Sequence, residues 1–184
     1  MEITETAPAL SYCFYTSFIF LINSAFALYK QYYFYSFLFL LLTISSILYH
    51  YPVNSIYVNF FDKLCIITVV LYGGRMLYQK NMIENLQNVS GASRSESVGE
   101  RLNSVAVAKD FDYVEVDVKS RTWTLMVIFT FLIINYLYIY GYFSDCYCFH
   151  PDKCNSDIWH GILHIISSIG HNIIILLGDV SVGL

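Results

Sequence analysis

Five apolar stretches, each close to the length of a bilayer crossing, constrain this chain more than anything else in it. A helix rises about 1.5 Å per residue, so about 20 apolar residues cover a hydrocarbon core of roughly 30 Å. Stretches of that kind occupy residues 10–28, 33–50, 57–77, 122–143 and 158–177. Within lipid each backbone N–H and C=O needs a partner, and for spans of this length the helix supplies all of them internally. Only 13% of the 184 residues are charged and 57% are hydrophobic, whereas soluble domains carry roughly 25% charged residues. The expected fold class is all-α: a polytopic transmembrane helix bundle with five spans, built as a single domain over residues 1–184. A net charge of −4 and the lack of a basic stripe interleaved with aromatics exclude nucleic acid as a partner.

The joins between spans set the topology. Residues 29–32 and 51–56 are tight turns, so the first three helices are expected to be antiparallel neighbours. Residues 144–157 form a short cysteine-rich loop, and residues 78–121 a long polar one. Its stretch NVSGASRSESVGERLNS lacks the apolar residues that would order it, so the loop reads as mostly disordered. The later FDYVEVDV reads as a solvated approach to the fourth helix rather than a strand. Lys30, Arg75, Lys80, Arg94, Arg101, Lys109, Lys119 and Arg121 fall on one side, against Lys63 and Lys153 on the other. By the positive-inside rule the first side is cytosolic, with the amino terminus outside and the carboxyl terminus in the cytosol. The acidic start is unlike a cleavable signal, so the first span is expected to remain as an anchor in the endoplasmic reticulum, Golgi or another secretory-pathway membrane.

Counting crossings then places the polar residues by depth. His50 ends the second span and Asp62 opens the third, so both lie near the outer face. The fifth span starts from the same face with DIWHGILHIISSIGHN, which brings His160 and His164 to that level. Their spacing of four puts both imidazoles on one helix face with Cβ atoms about 5–6 Å apart, suited to a shared metal. His50 offers a third nitrogen, and Ser46 lies one turn before it on the same face. Three imidazoles with one open position are the ligand set of a catalytic zinc, which polarises a carbonyl and brings the pKa of its water to about 7. A nearby carboxylate can then accept a proton. Each histidine taken singly has a plainer reading as a hydrogen-bonded packing residue, and Asp62 as a partner of Lys63 or a cap of the third helix.

Ser46 with His50, then Asp62, then His160 with His164 resemble the superfamily of alkaline ceramidases, progestin and adipoQ receptors and GPI-remodelling membrane hydrolases, often abbreviated CREST. WHGILHIISSIGHNIII is most similar to the last helix of the ceramidases. The resemblance implies that His50, His160 and His164 bind Zn2+, while Asp62 and Ser46 hold the water or the developing oxyanion. It implies hydrolysis of a lipid amide or ester, ceramide or a related membrane lipid entering from the bilayer. A second implication is a noncatalytic receptor-like or membrane-remodelling protein with a structural metal. The superfamily has seven helices, so this chain would be a reduced version lacking one hairpin, and Lys63 and Cys65 stand where ceramidases carry Glu and Pro.

Three further groups have nonchemical expectations. His171 lies about 10 Å deeper than His164, too far to share an ion, and is expected to bond Ser167 or Asn172. Cys13, Cys146, Cys148 and Cys154 are expected to form disulfides in an oxidising compartment, with the pairing open. Tyr29, Tyr32, Tyr33, Tyr35, Tyr136, Tyr138, Tyr140 and Tyr142 cluster at span ends as an interfacial belt, and Arg75 and Asp179 snorkel.

Overall fold

The computed structural model describes residues 11–51, 55–97 and 105–177. Among them there are helices and no strands: α1 (Tyr12–Thr16), α2 (Ile19–Tyr29), α3 (Tyr33–His50), α4 (Ile56–Ser97), α5 (Val105–Ser144), a 3-10 turn (Tyr147–Phe149) and α6 (Lys153–Leu177). Five helical segments are long and apolar enough to cross a membrane: Tyr12–Tyr29, Tyr33–His50, Ile56–Ile83, Arg121–Phe149 and Lys153–Leu177. The chain is an all-α integral membrane protein.

Local chemistry explains the breaks. The first span splits between α1 and α2 because the hydroxyls of Thr16 and Ser17 both donate to the Cys13 carbonyl, at 3.1 and 2.8 Å, a back-bonding that bends helices. The turn into α3 is a Schellman-type cap: Tyr32 N–H donates to Ala27 O and Gln31 N–H to Leu28 O, with Gln31 at φ 62. At the other end α3 stops at His50 because Tyr51, extended at ψ 146, precedes Pro52. Asp152, just after Pro151, accepts from Cys154 N–H and so caps α6.

The long polar loop expected over residues 78–121 is largely helix instead. α4 runs past the membrane span to Ser97, and α5 begins at Val105, taking FDYVEVDV into the helix. No proline interrupts residues 78–121, and extending an existing helix avoids the cost of nucleation. Residues 98–104 of that loop, the acidic start and Asp179 lie outside the described residues.

α6 is the centre of the bundle, packing on α1, α2, α4, α5 and the 3-10 turn, while α3 packs between α2 and α4. Two glycines allow the closest approaches. A Cβ on Gly161 would stand 2.7 Å from the Tyr12 ring on α1, and one on Gly170 would stand 2.5 Å from Thr130 Oγ1 on α5. Small residues at such crossings let helices pack without help from a hydrophobic effect, which lipid does not provide. Across the α2–α6 contact Asn23 Nδ2 donates to Ser168 O at 2.9 Å, and Ser168 Oγ returns a bond to Asn23 Oδ1 at 2.6 Å. Side chains on the far side of α5, among them Leu125, Phe129, Leu132 and Phe143, are exposed and form a lipid-facing surface.

A candidate metal centre of three histidines

His50 is delivered by the last turn of α3, and His160 and His164 by successive turns of α6. The three rings meet at one end of the bundle. Ring centroids are 5.0 Å apart for His50 and His160, 5.5 Å for His50 and His164, and 5.1 Å for His160 and His164. One nitrogen from each can be chosen so that all three lie within 4.8 Å of one another. Nitrogens bound to a tetrahedral zinc stand about 3.3 Å apart, given Zn–N bonds of about 2 Å. A bound ion would require the rings to draw together by rotation about χ1 and χ2. His164 is buried, and His50 and His160 are half-buried, so the cluster opens toward its rim through those two rings.

A residue not singled out in the sequence orients His164. Thr16 Oγ1 lies 3.1 Å from His164 Nδ1, and the same hydroxyl donates its proton to the Cys13 carbonyl. If Thr16 donates to that carbonyl, its oxygen can accept from Nδ1–H, the arrangement that would leave the Nε2 lone pair free for a ligand. Partners of this kind fix the tautomer and aim of metal-binding histidines, and their loss typically weakens metal binding by 10–100-fold. If the cluster holds zinc, Thr16→Val is expected to weaken it about tenfold or more with the fold retained, as isothermal titration would show. Crossing parity alone places the start of the first span at the level of the start of the fifth, but does not single out Thr16 there.

Ser46 and Asp62 are both buried, and both face partners other than the three imidazoles. Ser46 Oγ is 2.8 Å from Ser17 Oγ, and Ser17 in turn donates to Cys13 O, so the Ser46 hydroxyl points its proton at Ser17. Asp62 Oδ1 accepts from Ser45 Oγ at 3.1 Å, and Asp62 Oδ2 lies 3.9 Å from Lys63 Nζ. Among the described residues no hydrogen bond or ion pair joins Asp62 to an imidazole. The ammonium of Lys63 also sits 5.1 Å from the centre of the Tyr49 ring, which borders His50.

Other expectations are corrected. His171 bonds neither Ser167 nor Asn172; its partner is Tyr35, which is a fully buried core residue rather than a member of an interfacial belt. Tyr29, Tyr33, Tyr136 and Tyr142 are exposed at span ends, as such a belt requires. No disulfide forms: Cys13, Cys65, Cys146, Cys148 and Cys154 are all free thiols. Cys13 Sγ donates to Asp157 O at 3.0 Å and Cys146 Sγ to Ser144 O at 3.1 Å, so backbone carbonyls take the place of sulfur partners.

What the cluster offers chemically is three neutral nitrogens from two helices, with no carboxylate or thiol among them, which fits zinc better than a hard cation such as magnesium or calcium. Comparison with family models, curated proteins and solved structures finds no match to this chain.

Proposed function

We propose that the protein is a zinc-dependent hydrolase of a lipid amide or ester, of the ceramidase-like kind that the CREST resemblance implies, with His50, His160 and His164 as the metal ligands. The observation that carries this reading is the convergence of those three imidazoles within 4.8 Å at one end of a membrane bundle. A zinc ion held there supplies Lewis acidity toward a carbonyl and toward water. Thr16, accepting from Nδ1–H, would hold His164 in the tautomer that leaves Nε2 free, and the half-buried edges of His50 and His160 leave the cluster open to a ligand from the membrane boundary. Asp62 is the candidate proton acceptor, and Ser46 becomes a candidate oxyanion partner only if its hydroxyl turns away from Ser17. The positive-inside rule favours placing this site at the exoplasmic face of a secretory-pathway membrane.

One observation favours a second reading, a noncatalytic membrane protein with a structural metal: Asp62 is engaged by Ser45 rather than by an imidazole. The two readings separate in a single assay. Purified protein loaded with zinc is expected to release fatty acid from labelled ceramide or a related lipid, and Asp62→Ala to lower that rate at least about a hundredfold while keeping its zinc. A zinc-bound wild-type protein that is inert toward such lipids would point to the structural role.

A further inference from the structure

His171 is 1% exposed, and its Nδ1 lies 2.5 Å from the hydroxyl of Tyr35, which has no exposed surface at all. Phe39 and Phe131 meet the same imidazole edge to face, with centroids 5.3 and 5.4 Å away. The pair fits only because of Gly73 on α4, where a Cβ would stand 2.6 Å from the Tyr35 hydroxyl oxygen and 3.1 Å from His171 Nδ1. Three helices, α3, α4 and α6, therefore meet at one buried hydrogen bond packed by the Phe39 and Phe131 rings. Turning α6 about its axis would leave two buried polar groups without partners, and neither lipid nor the surrounding phenylalanines could replace them.

The direction of His171 matters because of where it falls on α6. At about 100° per residue, His164 is about 40° around the helix from His160, and His171 about 20°. His171 thus points between the two upper imidazoles. Holding it against Tyr35 near the start of α3 turns His160 and His164 toward the same helix, whose last residue is His50.

We infer that the Tyr35–His171 hydrogen bond, seated over Gly73, is a rotational pin that sets the facing of α6 and so brings His160 and His164 onto His50. Tyr35 and His171 are positioning residues: along its own helix His171 lies about 10 Å from His164, and Tyr35 about 22 Å from His50. The facing of α6 is argued from protein contacts alone, and only its consequence for zinc affinity rests on the proposed metal centre.

The test uses full-length protein in nanodiscs with 15N-labelled histidine rings, comparing wild type, Tyr35→Phe and Gly73→Ala without metal. The reporter is the His164 ring, bonded to Thr16 and assigned from the spectrum of His164→Gln. Both variants are expected to shift or split the His164 resonances with helicity by circular dichroism unchanged, and to weaken zinc binding about tenfold. Unchanged His164 resonances in both, with only those of His171 displaced, would reduce the pair to an ordinary core contact and overturn the inference. Should Tyr35→Phe fail to fold, the Gly73→Ala spectrum decides alone. A wild-type protein that binds no zinc would remove the metal centre, while the comparison of resonances would still decide the pin.

Discussion

Replacing His160 by alanine is expected to weaken binding at the proposed zinc centre more than a hundredfold and to leave the bundle intact. Structural zinc sites bind with about 10–16 kcal/mol shared over four ligands, so one lost nitrogen costs about 3 kcal/mol, more than a hundredfold in affinity. His160 is half-buried on α6 and alanine is the best helix former, so the span itself should tolerate the change. His164→Ala is expected to match it in zinc affinity. His150→Ala is the control, because His150 is exposed in the loop before α6 and its Nδ1 accepts only from Asp152 N–H. Zinc titration of the purified variants checks this: a loss confined to the three clustered histidines supports one shared site, and equal affinity in wild type and His160→Ala removes it.

The largest stability effect is expected at Gly170. α5 packs mainly on α6 and the 3-10 turn, and at Gly170 the two helices approach so closely that even a Cβ would meet Thr130 Oγ1 at 2.5 Å. A leucine there must either move Thr130, whose hydroxyl donates to Val127 O at 2.7 Å, or part the helices. Overpacking of this kind costs about 1–3 kcal/mol, and the upper part of that range is expected because helix association in lipid depends on close packing. Gly74→Leu is the matched control, since a Cβ at Gly74 meets nothing within 4 Å. Unfolding midpoints in mixed micelles should fall for Gly170→Leu and stay near wild type for Gly74→Leu. Equal midpoints would mean that the α5–α6 contact is not held by close approach.

The spans were legible because the signal for them is long and additive: about 20 apolar residues in a row leave little choice of structure. The meeting of His50 with His160 and His164 was legible for a related reason, since crossing parity fixes depth whatever the side chains do. Rotation about a helix axis is another matter. Nothing local in the sequence distinguishes Tyr35, at the core, from Tyr33, at the surface two residues earlier, and both sit where an interfacial belt would put them. Thr16 was hidden in the same way, as its role depends on the bend that Ser17 and Thr16 impose on the first span. The polar segment after residue 77 misled through its composition, because a helix already started in the membrane can continue through residues that would not begin one. The cysteines misled through their number: four near one face suggested pairing, but Cys13 lies against the Asp157 carbonyl.

The identity of the atoms around a bound zinc ion is the most direct measurement of the account. X-ray absorption at the zinc edge, on protein loaded with one equivalent, is expected to show three imidazoles at about 2.0 Å and no sulfur, and to lose imidazole scattering in His50→Ala. A shell containing thiolate sulfur, fewer than two imidazoles, or the same spectrum in His50→Ala would contradict a centre built from α3 and α6.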